Sequence, residues 1–280
     1  MKRILLTGST GFLGTRLLAV LREKNYDIIV SKEDITKLFP TYNVDCIIHA
    51  AALVNLSRDF QIGKYCFEVN TLGTMRVLES FRHKKPKLFI YISSEEVYGN
   101  GPIPFLEDQT PEPPSPYAIS KLAGEHLALW YGKEYDIPVA IVRLGTFYGP
   151  GQPKHKYFTQ VILHAVKNEP IPCNSGQKKR DYIYIDDAVD LILKLLETKK
   201  TVVVNGAGGK PYRLLDVIDI VKALTQSKSE VKIGEIPDRI TERDEWLSDI
   251  TRAKKLFGWE PKVDLEEGLR RMVVWFQKNN

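Results

Sequence analysis

The sequence predicts an α/β protein, a doubly wound parallel sheet joined to a smaller mixed α/β lobe. Two observations carry this expectation. Short β-branched runs alternate with longer amphipathic stretches as far as Val204, the pattern of parallel strands linked by crossover helices. A glycine-rich turn also joins the first apolar run to the first amphipathic stretch. The 280-residue length and 43% hydrophobic content suffice for a sizeable core.

Taken in order, Ile4-Leu5-Leu6 predicts a strand ending at Thr7, followed by a helix near 12–24. Strands are expected at Ile28-Ile29-Val30 and Cys46-Ile47-Ile48. The fifteen residues between them have room for one short helix, so this second crossover is abbreviated. A helix near 60–82 precedes the strand Phe89-Ile90-Tyr91-Ile92, and one near 117–135 precedes Val139-Ala140-Ile141-Val142. A helix near 187–197 precedes Val202-Val203-Val204. After Pro150 the texture becomes irregular and rich in Pro and Gly, with late helices near 213–226 and 264–278. The expected division is a cofactor unit over 1–150 that also receives roughly 181–207, and a substrate lobe over 151–180 and 208–280.

The net charge of +5 comes from interspersed basic and acidic residues, and short clusters such as Lys178-Lys179-Arg180 read as solvated faces. Nucleic acid is therefore not an indicated partner. Cys46, Cys66 and Cys173 are odd in number and lack metal-ligand spacing, which suits a reducing cytosol and implies no metal site. Strand-forming sequence begins at residue 3, leaving no room for a leader, and no apolar run approaches the roughly 18 residues that span a bilayer. A cytoplasmic protein with no membrane partner is expected.

The glycine turn spaces Gly8, Gly11 and Gly14 as G-x-x-G-x-x-G, with Thr10, Phe12 and Leu13 between them. A Cβ at these glycines would block the approach of a pyrophosphate. The helix starting near Phe12 offers free N–H groups and a partial positive charge to the same anion. The turn reads as a dinucleotide clamp.

Tyr117 and Lys121 lie four apart at the start of a predicted helix, which puts both on one face, one turn apart. A neighbouring ammonium stabilises a phenolate and lowers its pKa, so the pair can exchange a proton with a substrate hydroxyl. Ser93-Ser94-Glu95-Glu96 follows the strand at 88–92, at the carboxyl end where such sheets bind ligands. Two hydroxyls and two carboxylates there are expensive to bury without a role.

In this order, Gly8/Gly11/Gly14, Ser94, Tyr117 and Lys121 resemble the extended short-chain dehydrogenase/reductase family with its Rossmann-type fold, and within it the nucleotide-sugar epimerase/dehydratase branch. Further matching stretches are Asp45-Cys-Ile-Ile-His49-Ala-Ala-Ala52, Asn70-Thr-Leu-Gly-Thr74, Arg143-Leu-Gly-Thr-Phe-Tyr-Gly-Pro150, Arg180-Asp-Tyr-Ile-Tyr-Ile-Asp186 and Gly258-Trp-Glu-Pro261. The resemblance implies that Tyr117 is the acid/base, that Lys121 binds the nicotinamide ribose and tunes Tyr117, and that Ser94 holds the reacting sugar oxygen. It also places Ala50, Ala51, Ala52 and Asn70 at the cofactor, His49 as a residue that positions backbone, and Arg180 and Arg239 on a nucleotide diphosphate. Thr146 stands at a substrate position where many members of the branch have asparagine.

Glu95 and Glu96 resemble the acid pair of sugar 4,6-dehydratases, in which one carboxylate removes the C5 proton and the other protonates the departing hydroxyl. Oxidation at C4 acidifies the neighbouring carbon, which gives such a carboxylate its use. Eighteen residues beyond Gly14 stands Lys32, where NAD-preferring relatives carry an acid on the adenosine ribose. Lys32 favours NADP, while Glu33 keeps NAD open, and Asp34 with Ile35 resembles the lining of the adenine site.

The implied activity is an NAD(P)-dependent epimerase or dehydratase acting by hydride abstraction at sugar C4. Lys32 and the abbreviated crossover resemble NADPH-dependent 4-ketosugar reductases instead, and a non-catalytic NAD(P)-binding regulatory subunit is a third class. A homodimer packed through the helices near 60–82 and 117–135 is implied by the same resemblance.

Overall fold

The computed structural model describes residues 2–238 and 243–279. The chain opens with β1 (Arg3–Thr7), α1 (Phe12–Glu23), β2 (Asp27–Val30) and β3 (Cys46–His49). A long helical run follows, made of α2 (Phe60–Cys66), a π-helical segment (Phe67–Gly73) and α3 (Thr74–Phe81). Then come β4 (Leu88–Ser94), a 3-10 turn (Glu95–Val97), α4 (Pro116–Tyr135) and β5 (Val139–Leu144). The second half contains β6 (Thr146–Tyr148), α5 (Tyr157–Lys167), β7 (Ile171–Cys173), β8 (Lys179–Tyr184), α6 (Ile185–Leu195) and β9 (Val202–Gly206). The chain closes with β10 (Pro211–Arg213), α7 (Leu214–Thr225), β11 (Val231–Ile233), α8 (Thr251–Phe257) and α9 (Leu265–Asn279).

Six parallel strands form the main sheet in the order β2-β1-β3-β4-β5-β9. Alternation along each strand divides the core between the two faces. Leu5, Ile47, Phe89, Val139 and Ile141 bury against Val77, Leu78 and Phe81 of α3 and Ala128 and Tyr131 of α4. Ile4, Leu6, Ile48, Ile90 and Val142 belong to the opposite core with Leu13, Leu17 and Leu21 of α1 and Val189 and Ile192 of α6. Strands buried on both faces become continuous apolar runs, which is why they were legible. The order reverses between β1 and β3, and the crevice beyond their carboxyl ends is where such sheets take ligands.

Between β2 and β3 the short helix does not form. Asp34 Oδ1 accepts from the Thr36 amide and hydroxyl at 2.9 and 2.7 Å, a side-chain turn that competes with helical bonding. Ile35 and Phe39 still anchor this loop in the α3–α4 core. The region after Pro150 is more ordered than its composition predicts. Phe158, Val161, Ile162 and Ala165 form the buried stripe of α5, and two small sheets, β10-β8-β6 and β11-β7, complete it. Within 181–207, β8 lies in the three-stranded sheet, α6 packs beside α1, and β9 joins the main sheet.

Candidate active site

At the end of β1, Gly8 takes a left-handed φ of +70°, and a Cβ there would collide with the Ala51 amide and the Ala50 carbonyl carbon. A Cβ on Gly14 would run into the Gly8 carbonyl, so the first turn of α1 presses directly on the loop. Gly11 differs. Its Cβ would meet only the Gly8 oxygen at 3.4 Å and otherwise project into open space. No side chain caps α1 and no acid stands in its first turn, so its leading N–H groups face this space. The cradle fits a dinucleotide pyrophosphate. Thr10 is exposed beside it, Phe12 stacks on Phe147 at 5.8 Å, and the Leu13 side chain turns into the core, leaving its backbone to the site.

Behind the cradle, hydrogen bonds run in one direction. The Thr74 hydroxyl donates to the Asn70 carbonyl at 2.6 Å, so the 3.0 Å contact between Thr74 Oγ1 and His49 Nε2 has the ring as donor. His49 Nδ1 then accepts from Thr7 Oγ1 at 2.8 Å, and Thr7 in turn accepts from the Ala51 amide at 3.3 Å. Burial, aided by the Lys121 charge, pushes His49 down to about 3, and the ring is neutral. Asn70, in the π-helical segment, accepts from the Leu53 amide and donates to Leu53 O and Ser120 Oγ. It thereby fixes the backbone that continues from Ala50, Ala51 and Ala52. π-Helical segments recur where a side chain must be set out of helical register.

Lys32 and Glu33 are exposed just past the end of β2. Asp34 is held below its ordinary value by the Thr36 hydroxyl and amide, while Ile35 is buried against Gly73.

Ser94 ends β4 and caps the 3-10 turn by accepting from the Glu96 amide at 3.2 Å. The α4 helix begins with Ser115 accepting from the Ala118 amide at 3.1 Å and Pro116 in the first turn, a strong start that fixes the two residues it presents. Tyr117 is buried and its phenol is pushed up by that burial, with a hydrogen bond to Ser94 drawing it partly back. The lowering expected from Lys121 does not appear: desolvation dominates, Glu96 raises the phenol further, and Ser94 supplies the lowering. Lys121, one turn on, is 2% exposed with Nζ 4.1 Å from the centre of the Tyr91 ring. Burial pushes its ammonium down to about 7 against the raising influence of Glu125.

Glu125 continues the same helical face and is fully enclosed. Arg143 pairs with it through two guanidinium nitrogens at 2.7 and 3.0 Å, Ser93 donates to it, and Arg143 lies 4.8 Å over Tyr98. Sequence reasoning did not single out this pair, although an arginine inside the apolar run of β5 signals a buried anionic partner.

Glu95 and Glu96 diverge. Glu96 meets Arg180 at 3.4 Å, and the Arg180 guanidinium lies 4.9 Å over Trp246. Glu95 is 1% exposed and pushed well above the carboxylate range by burial and then by Asp181. Thr146 Oγ1 reaches it at 3.3 Å. Asp181 is itself buried and pushed up to about 7. The residue expected on a diphosphate at Arg239 lies outside the described residues. Among the described residues no group of His, Cys, Asp and Glu is arranged to hold a metal, and no helix is long and apolar enough to cross a membrane.

The chain is similar to known proteins along nearly its whole length. Residues 4–207 match the family described as NAD dependent epimerase/dehydratase. A UDP-glucuronate 4-epimerase of Thermodesulfobacterium geofontis is 31% identical over 264 residues, covering 91% of this chain and 80% of that protein. The human dTDP-D-glucose 4,6-dehydratase is 27% identical over 325 residues, covering 99% and 89%. Among solved structures, the UDP-glucuronic acid 4-epimerase of Bacillus cereus in complex with UDP-glucuronic acid and NAD superposes with a TM-score of 0.89. It is 28% identical, with 99% of this chain and 100% of that chain covered.

Proposed function

Since this chain belongs to the NAD dependent epimerase/dehydratase family, we propose that it oxidises a nucleotide-linked sugar at C4 and then dehydrates or epimerises the 4-ketosugar. The observation that carries this is the Ser94–Tyr117 hydrogen bond at the carboxyl end of β4, with Lys121 one turn along α4, two strands from the glycine cradle that follows β1. A bound NAD(P) supplies the hydride acceptor. Tyr117 takes the C4 hydroxyl proton, Ser94 orients that oxygen, and Lys121 favours the phenolate while binding ribose. Gly8, Thr10, Gly11, Phe12, Leu13 and Gly14 hold the pyrophosphate, with Ala50, Ala51, Ala52 and Asn70 shaping the floor and Asp34 and Ile35 the adenine end.

Glu95 and Glu96 favour dehydration. Glu95, raised by burial, is assigned the proton for the departing hydroxyl, and Glu96, facing Arg180, is assigned the proton from C5. Thr146, Arg180 and Arg239 are assigned to the substrate. The cofactor unit is 1–150 with roughly 181–207, and the substrate lobe is the remainder. A 4-ketosugar reductase is the second reading, favoured by Lys32 at the end of β2 and by the helix-free crossover.

We further place the protein in the cytoplasm, on three buried unpaired thiols, and as a homodimer. Exposed Tyr65, Leu72 and Met75 on the α2–α3 run and Ile119 and Trp130 on α4 favour a helical dimer face. Light scattering tests it, and a monomer overturns it. A screen of nucleotide sugars by mass and by C5 proton exchange tests the activity. Loss of water, exchange at C5, or inversion at C4 read by proton NMR is expected without added cofactor; stoichiometric consumption of NADPH would favour the reductase.

A further inference from the structure

Glu95 and Asp181 are both enclosed, and Ser248 touches both. Its amide donates to Asp181 Oδ2 at 3.2 Å, and its hydroxyl stands 3.5 Å from Glu95 Oε2. Two carboxylates shut into one dry compartment do not ionise together, and their donors decide which keeps the charge. Asp181 Oδ2 also accepts from the Gly209 amide at 3.2 Å, and the nearby Gly208 and Lys210 amides favour its anion without closing a hydrogen bond on Oδ1. Among the described residues Glu95 has two hydroxyls and no amide, Thr146 at 3.3 Å and Ser248. Amides can only donate, so they favour a carboxylate, whereas a hydroxyl can also accept from a carboxylic acid. Among the described residues the other charges acting on Glu95 are Arg180, which draws it down, and Glu96, which raises it less, and these two face each other at 3.4 Å. Thr146 is exposed on its far side.

We infer that Asp181 is a positioning residue that assigns the proton of this buried pair to Glu95, and that the Thr146 hydroxyl hands that proton to the cleft. The second half rests on the reading of Glu95 as an acid in dehydration. There, the C5–H bond breaks, its electron pair becomes the C5–C6 double bond, and the C6–O bond breaks. Thr146 gives its hydroxyl proton to the departing oxygen, which leaves as water, and takes the Glu95 proton in return. Glu96 receives the C5 proton, so one carboxyl loses what another gains.

A carboxyl-carbon NMR titration of the whole protein, with the Glu95 signal assigned by Glu95→Gln, tests the pair without turnover. The expected result is a Glu95 that stays protonated through neutral pH. In Asp181→Asn its titration should move down by at least a unit, and in Asp181→Glu it should stay high. An ordinary Glu95 carboxylate in the wild type overturns the assignment with no variant needed, and so does an unmoved titration in a folded Asp181→Asn. For the relay, the ratio of water elimination to hydride transfer should fall more than tenfold in Thr146→Val and recover in Thr146→Ser. Equal ratios in the two variants overturn it. A wild type that eliminates no water from any nucleotide sugar overturns the dehydratase reading and the relay, and leaves the titration to decide the pair.

Discussion

The Lys121 ammonium rests 4.1 Å above the ring of Tyr91, an aromatic that is itself completely buried. A cation in that position has exchanged water for a ring face, and burial brings it down to about 7. The unfolded chain holds that proton up to about 10.4. Between these values the unfolded state binds more protons, so this residue's contribution to stability rises with pH from about 7 upward and is absent below it. Urea unfolding from pH 7 to pH 9 should therefore show the wild type gaining on Lys121→Met by up to about 1.4 kcal/mol per pH unit. Parallel curves would mean that Lys121 titrates normally.

His49 has the same sign in an acid window. Its ring is held neutral down to about 3, whereas an unfolded histidine protonates near 6.5. Its contribution is complete above the unfolded value and is lost as the pH falls toward the folded one. At pH 5 the loss should be about 2 kcal/mol. A His49→Asn protein, less stable at pH 7, should have a flatter stability profile from pH 7 to pH 5, read from unfolding midpoints.

Gly11 and Gly14 should separate binding from folding. Alanine at Gly14 meets the Gly8 backbone and should cost about 3 kcal/mol, visible as a lowered Tm. Alanine at Gly11 meets a single oxygen at 3.4 Å and should cost about 1 kcal/mol or less. It should nonetheless weaken dinucleotide binding at least roughly tenfold by calorimetry, since its methyl enters the cradle.

Lys32 is exposed, so its effect on cofactor choice should be modest. Lys32→Ala should weaken NADP binding by about 1 kcal/mol, roughly fivefold, and leave NAD within about twofold. Equal effects on both dissociation constants would remove Lys32 from the ribose.

Tyr117→Phe keeps the ring and loses the proton carrier. It should lower the rate of hydride transfer by roughly a hundredfold to ten-thousandfold while dinucleotide affinity changes little. Single-turnover absorbance of the reduced nicotinamide gives the first quantity and calorimetry the second.

What could be read from the chain followed the range of the forces involved. The helix placed near 117–135 spans Pro116–Tyr135, because its start is set by local groups, Ser115 and Pro116. Ser94, Tyr117 and Lys121 were legible because one strand end and one helical turn hold them. The helix with room to form before Cys46 failed because Asp34 and Thr36 bond to each other. The α5 helix had a visible stripe at Phe158, Val161, Ile162 and Ala165, but the Pro and Gly around it masked the period. Three-residue strands such as β7 and β11 are too short to show alternation at all. The contact between Asp181 and Ser248 joins residues 67 apart, and no local pattern announces it.

The π-helical segment Phe67–Gly73 makes the chain sensitive to a one-residue change in length. A π turn takes up one residue more than an α turn, so deleting one residue there would close the segment into ordinary helix, leaving α2 and α3 near their present orientation but moving the residues between them. Asn70 would then turn away from Leu53 while Val77, Leu78 and Phe81 kept their seat on the sheet. A substitution scan of these seven positions and a deletion scan of the same positions should consequently look quite different: the amino acids are partly negotiable, but their number is not.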